Sequence, residues 1–328
     1  MITFTTPKSM KNILFFLAFL IILFSCSSDK KIKKEVSVIP VKVEVIRFDQ
    51  KFAAATPENL SALKKEFPYL FPEQYPDSIW IEKMQDTLQL ELETEVNKVY
   101  ADFSEIESEI ESLFQHLKYY FPSFKEPKII TVISDVDYRN KIAIADTLLV
   151  IGLDNFLGKE HFFYVEIPVY ITKNLIKEQL TPSIAEVYAE QLVPKPSGRT
   201  LLDAMVYFGK LHYLKEMLLP LFEENLILGY TKEELQWAQE NESEIWRYFV
   251  EREMLFGSDP QLMPRFINPA PFTKFYLELD NESPGRLGQY MGWQIVKAYA
   301  ENNDVSLARL MATPTEELFN NAKFKPRR

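Results

Sequence analysis

The residues best spaced for chemistry lie between Thr181 and Val193, in the run Thr-Pro-Ser-Ile-Ala-Glu-Val-Tyr-Ala-Glu-Gln-Leu-Val. Thr181 suits an amino-terminal cap and Pro182 suits the first turn, where its missing N–H costs nothing, so the run predicts a helix. Within it, Glu186 is flanked by Ala185 and Ala189, two positions one helical turn apart. At this spacing a helix can offer two imidazoles to a zinc ion and a carboxylate to the attacking water. Alanine cannot ligate, so the pattern keeps a general-base position and lacks the metal grip. The three histidines, His116, His161 and His212, stand elsewhere and no two have ligand spacing. His212 follows Phe208 by one turn, and Glu186 and Glu190 are also one turn apart. Glu186, Glu190 and His212 would make an unorthodox set for a carboxylate-preferring ion. Two solvated glutamates and an ordinarily hydrogen-bonded histidine are the favoured reading.

Other chemistry is thinner. Ser134-Asp135-Val136-Asp137-Tyr138-Arg139 closes a predicted strand with two acids and a base, and is expected to be turn chemistry rather than a cation grip. No Gly-x-Ser-x-Gly, phosphate loop or dinucleotide fingerprint occurs. Aromatics beside prolines, Tyr69, Phe71 and Tyr75 or Phe266, Phe272 and Phe275, could form a binding surface, though core packing is expected for most.

The elements that must position these residues are mostly helical. Val41–Val45 alternates apolar and polar as a half-buried strand, and Thr56-Pro57-Glu58 opens a short helix. Pro68, Pro72 and Pro76 describe an extended loop. Leu88, Leu92, Val96 and Val99 mark one apolar stripe. Ile106, Ile110, Leu113, Leu117 and Tyr120 mark another, introduced by the capping pair Ser104 and Glu107. Lys128–Ile133 and Leu148–Ile151 read as strands. Ile142–Ala145 followed by Asp146-Thr147 predicts a tight hairpin. A second capping pair is Thr231 and Glu234, and a helix is expected over Arg199–Pro220. The fold class is therefore mostly α with a small β-sheet, in a single globular domain over residues 41–328.

The first segment reads differently. Lys8 and Lys11 precede an apolar run from Ile13 to Phe24, too short to span a bilayer core of about 20 helical residues. A basic start, a short apolar core and a small-residue end make an export signal, here residues 1–25, with Met10 a second candidate start. The ending Leu23-Phe24-Ser25-Cys26 resembles the bacterial lipobox, which implies that Cys26 becomes the lipidated first residue of the mature chain. Cys26 is the sole cysteine, so the exported protein has no disulfide and must rely on its core. Residues 26–40 read as a tether, with Lys30, Lys31, Lys33 and Lys34 either lying on anionic headgroups or forming a plain solvated linker. The whole chain carries −10; losing residues 1–25, with two lysines and no acids, takes it to −12. Such a surface repels phosphate backbones and makes nucleic acid an unsuitable partner. Hydrophobic content of 47% with only nine glycines disfavours a disordered coat or a loop-rich all-β design.

Two resemblances follow. The hairpin, the Glu186 helix, a Gly-interrupted helix at Phe208-Gly209, and the entry Pro284-Gly285-Arg286-Leu287-Gly288-Gln289-Tyr290-Met291-Gly292-Trp293 come in an order similar to predicted bacterial zinc-dependent proteases. There a comparable helix supplies a glutamate before the glycine as third ligand; here Phe208 stands in its place. The resemblance implies a degenerate zincin-like body with vestigial positions Ala185, Glu186, Ala189 and Phe208, and a groove near Glu190, His212, Arg286 and Tyr290. Over nearly the full length, stretches such as IRFDQKFAAATPENLSALKKEFPYLFPEQYPDSIW and SDVDYRNKIAIADTLLVIGLDNFLGKEHFFY resemble the GldB family of gliding-motility lipoproteins of Bacteroidetes.

That likeness implies a non-enzymatic scaffold or binding role in the envelope machinery, with no cofactor. It also implies membrane attachment through Cys26 and protein partners within the gliding apparatus. The absence of an acidic run after the cysteine favours the periplasmic face, and Ser27 and Asp29 favour the outer over the inner membrane. The alternatives are a metal-dependent hydrolase with atypical ligands around Glu186, or a peptidoglycan-binding module.

Overall fold

The computed structural model describes residues 35–145, 147–277 and 280–327. The expected signal segment, Cys26 and the four tether lysines, with Asp146 of the expected hairpin, lie outside the described residues.

Four short strands make one mixed sheet: β1 (Val45–Arg47), β2 (Lys128–Val132), β3 (Ile142–Ala145) and β4 (Leu148–Gly152), in the order β1-β2-β4-β3. β2 runs parallel to both β1 and β4, while β3 is antiparallel to β4. Ala145 pairs with Leu148, the register of the expected two-residue connection. The first strand starts later than the alternation suggests. Val41 and Val43 pack half-buried against the core, and only Val45–Arg47 finds a ladder. β2 is apolar without alternation because both faces are covered: Ile129 joins one hydrophobic cluster and Ile130 another.

One face of the sheet carries α1 (Phe48–Ala53), α2 (Leu60–Glu66) and α3 (Asp77–Gln85). Phe48, Phe52, Phe67 and Phe71 pack there with Leu60, Leu63 and Ile130. Edge-to-face contacts join Phe48 to Phe67 at 5.2 Å and Phe71 to Trp80 at 4.8 Å between centroids. The proline-rich segment is not the extended loop expected. Pro68 opens a single 3-10 turn and Pro76 caps α3, because the fixed φ of proline suits helix starts. Phe71 is buried; Tyr69 and Tyr75 are exposed.

The other face carries the larger core. α4 (Thr87–Tyr100) buries Gln89, Leu92, Val96 and Tyr100, so its stripe is rotated from the expected one and Leu88 is exposed. α5 (Ser104–Tyr120) buries Ile106, Ile110, Leu113 and Leu117 as the pattern predicts, but the Ser104–Glu107 capping box does not form. Asp102 reaches the Ser104 N–H first, at 2.9 Å. After the single turn α6 (Val169–Thr172) come α7 (Leu180–Leu192), α8 (Leu201–Leu218), α9 (Glu224–Leu228), α10 (Lys232–Glu240), α11 (Glu242–Glu251) and α12 (Leu262–Phe266). α13 (Leu287–Asn302), α14 (Leu307–Ala312) and α15 (Thr315–Ala322) close the chain. Capping boxes do start α8, at Thr200 and Asp203, and α10, at Thr231 and Glu234.

α8 and α13 cross backbone to backbone. A Cβ on Gly209 would stand 2.3 Å from the Gly292 carbonyl, and one on Gly292 would stand 1.7 Å from the Met205 carbonyl oxygen. The glycine after Phe208 is therefore a packing requirement. This mostly helical body with its small sheet is the α+β class read from the sequence.

Candidate functional site

α7 begins one residue before Thr181, which is not its cap. The Thr181 hydroxyl instead donates to Glu109 Oε2 at 2.6 Å, while Pro182 does occupy the first turn. α7 packs against α5, α8 and β3. Ala185 and Ala189, where imidazoles would be needed, are fully buried in the large hydrophobic cluster. Glu186 turns the other way, toward a recess beside α8. Its Oε2 lies 3.1 Å from Lys215 Nζ. The lysine side chain is 3% exposed and the glutamate 50%, so the pair runs from the core outward to water. The Lys215 ammonium draws the Glu186 carboxyl down to about 2 against the resistance of its crowded setting, with Lys141 adding a smaller pull. Water reaches the carboxylate and screens part of this attraction.

His212, one turn before Lys215 on α8, is buried. Its Nε2 lies 2.9 Å from Gln289 Oε1, and Gln289 Nε2 donates to the Ile267 carbonyl at 2.7 Å. With the amide so oriented, His212 Nε2 must be the donor and Nδ1 carries the lone pair. That Nδ1 is buried without a hydrogen-bond partner among the described residues. Burial, then the charge of Lys215, pushes the imidazole down to about 3, so it is neutral at ordinary pH.

The other expected positions are dispersed. Glu190 is exposed on the rim, its carboxyl raised by crowding and by Glu186. Phe208 is half-buried, with its ring 5.2 Å from that of Tyr207. Tyr290 is fully buried and donates to Glu242 Oε2 at 2.7 Å, so it faces no groove. Arg286 adopts φ 61° before α13, and its Nη2 donates to the carbonyls of Leu228 and Gly229 at 2.9 and 2.8 Å. His116 bonds the Ser112 carbonyl through Nδ1 at 2.7 Å, and His161 Nε2 lies 3.4 Å from Glu95. Among the described residues, no group of three or more His, Asp, Glu or Cys is placed to hold a metal ion. Glu186, Glu190 and His212 form no such group: Glu186 is held by Lys215, His212 by Gln289, and Glu190 is exposed.

Residues 134–139 are turn chemistry, organised by an acid the sequence reading missed. Asp154, fully buried just after β4, accepts from the Ser134 N–H and Oγ at 3.0 Å each and from the Val136 N–H at 2.6 Å. Asp135 and Val136 are held at φ 55° and 58°, a conformation a β-branched residue rarely adopts. Lys215 and Gln289 were missed as well. The available signal was an ammonium set one turn from His212 on the same helix.

No curated protein and no solved structure matches this chain. The family model for the gliding motility protein GldB matches residues 29–326. On that near-complete match, the chain belongs to the GldB family of gliding-motility lipoproteins.

Proposed function

We propose that the protein is a lipid-anchored component of the gliding machinery that works by holding other envelope molecules rather than by catalysis. Its body is read as a degenerate zincin-like scaffold. Cys26 carries the lipid, and the globular part faces the periplasm, with the outer membrane favoured. Its partners are proteins of the gliding apparatus.

The observation that carries the non-catalytic reading is the Glu186–Lys215 pair. A general base works best with a pKa near the operating pH, whereas this carboxyl, held at about 2 by a buried ammonium, is a weak base. The zincin-like plan draws support from the packing. The hairpin strand β3 lies against α7, α7 against α8, and α8 against α13, in the chain order that the protease resemblance implies. No described helix is long and apolar enough to cross a membrane, which is compatible with attachment through Cys26.

Purified full-length protein tests the catalytic question by elemental analysis and peptide-cleavage assays. Expected are no stoichiometric metal and no cleavage. Bound zinc with peptidase activity, both lost in Glu186→Gln, would replace the scaffold reading by the hydrolase one. Fractionation tests the anchor: Cys26→Ala should move the protein from the membrane pellet to the soluble fraction and reduce motility. Retention in the pellet would refute lipid tethering at Cys26. Pull-down on purified sacculi separates peptidoglycan binding from binding of protein partners recovered by crosslinking in intact cells.

A further inference from the structure

A cleft of about 490 Å³ opens between the strained loop after β2, the turn at α6 and the entry to α13. Arg139, Lys141, Lys173 and Arg286 all line it, and among the described residues no carboxylate does. In a chain of net charge −10, such a concentration of cations needs a cause.

The four cations differ in how far the fold satisfies them. Lys173 is neutralised by Glu234, whose two oxygens lie 2.7 and 2.6 Å away. Arg286 binds two carbonyls through Nη2 alone. Arg139 is exposed and rests over the Tyr138 ring, at 5.1 Å, with its charge also felt by the Asp137 carboxylate. Lys141 stands 5.3 Å from the Phe156 ring, with no ion-pair partner among the described residues. Burial pushes the Lys141 ammonium down, with the charge of Glu186 opposing. A half-buried charge without an ion pair is costly to the fold alone and is relieved by an anion.

The backbone around the cleft is also strained. Asp135 and Val136, which lead into Tyr138–Lys141, and Arg286 across the cleft all hold positive φ. Such conformations persist where the surrounding structure enforces them, and they cluster at binding sites. Here the enforcement comes from Asp154 on one side and the α9 carbonyls on the other.

We propose that this cleft binds a ligand with a terminal phosphate group, that phosphate held by Arg139, Lys141 and Arg286 and its body lying against Tyr170 and Ile171. A phosphate monoester offers up to two charges and three acceptor oxygens, which matches three cations better than a single carboxylate does. Arginine forks suit its geometry. The cavity is large enough for a small ligand or a lipid headgroup. Apolar side chains continue along the chain from one wall: Phe162 is 54% exposed, Val165 86% and Val169 81%. This would accommodate an acyl part when the phosphate belongs to a lipid. The proposal stands apart from the scaffold reading, since it needs neither the lipid anchor nor an inert Glu186.

The test is calorimetric titration of full-length protein in neutral detergent. The probes are pyrophosphate, glycerol 3-phosphate, monomeric dihexanoyl phosphatidic acid, its phosphatidylcholine counterpart, and succinate. Saturable binding of a phosphate probe is expected, weakening as salt rises. Arg139→Gln and Lys141→Gln should each weaken it about tenfold or more, whereas Lys128→Gln at the other end of the sheet should not. Neither Arg139 nor Lys141 donates a described hydrogen bond to the fold, so both variants should keep the parent melting curve. Binding of the soluble phosphates assigns the site to free phosphate compounds; binding of phosphatidic acid alone assigns it to a lipid headgroup; both support the proposal. It is overturned by no saturable phosphate binding, by unchanged affinity in both variants, or by succinate or phosphatidylcholine binding as tightly as the phosphates.

Discussion

Buried charges on the two sides of the small sheet, Asp49 on one and Lys215 on the other, are matched to different degrees. On the aromatic face, the buried Asp49 is fully matched. Arg47 grips it through Nε at 3.0 Å and Nη2 at 2.7 Å, and the Thr131 hydroxyl donates to it as well. On the helical face, the buried Lys215 has among the described residues one ion-pair partner, which stands half in water. At the end of β3, Lys141 has no ion-pair partner among the described residues. A matched charge is a structural fixture, because removing either half strands the other. An unmatched one is held in place by the packing around it and leaves its attraction available to something outside the fold. The contrast therefore separates a charge fixed as part of the fold's own structure from charges that the fold leaves less fully satisfied.

Four substitutions probe the difference, and equilibrium denaturation measures each. Gly292→Ala should have the largest effect, about 3 kcal/mol or outright misfolding, since the new methyl meets backbone that cannot step aside. A loss below about 1 kcal/mol would mean that the helical face is loosely assembled. Asp49→Ala should cost about 3 kcal/mol by stranding the Arg47 guanidinium.

Glu186→Gln should cost only about 1 kcal/mol, because water already shares its carboxylate. Its pH signature is distinctive. The Glu186 carboxyl is lowered from its ordinary 4.5 to about 2, so its stabilisation is present above 4.5 and lost as pH falls through 2. The variant should lack that part of the acid limb. His212 adds a separate loss between about 6.5 and 3, where the unfolded chain takes up a proton the buried imidazole refuses; this should persist in Glu186→Gln. Lys141→Met should have the smallest effect, within about 0.5 kcal/mol of zero or slightly stabilising, since it removes a charge the fold does not satisfy. A loss as large as that for Asp49→Ala would erase the distinction between the two faces.

What the sequence discloses follows the range of the forces involved. Apolar periodicity and capping chemistry are local, so α5, α7, α8, the β3–β4 hairpin and the Thr231 cap can be read from the chain. The rotated stripe of α4 and the late start of β1 are set by tertiary neighbours and cannot. At the candidate site, Glu186 and His212 are recognisable by type and spacing, and Arg286 by its place among the glycines. Lys215 looks like one more surface lysine until a second helix covers it, and Asp154 gives no hint that it anchors a loop twenty residues earlier. Lys141, Lys173 and Arg286 are distant in sequence, and only folding brings them to one cleft.

The absent side chains at Gly209 and Gly292 act as a keyed joint. Because each backbone fills the notch left by the other, α13 can neither roll about its axis nor slide along α8 without collision. The azimuth of both helices is fixed by this shape together with the His212–Gln289 contact, one turn away on either side. Any molecule that engages this end of α8 or α13 would push against a stiff bracket, so load applied there would pass to α7, which packs on both α8 and β3, instead of being absorbed by slippage between helices.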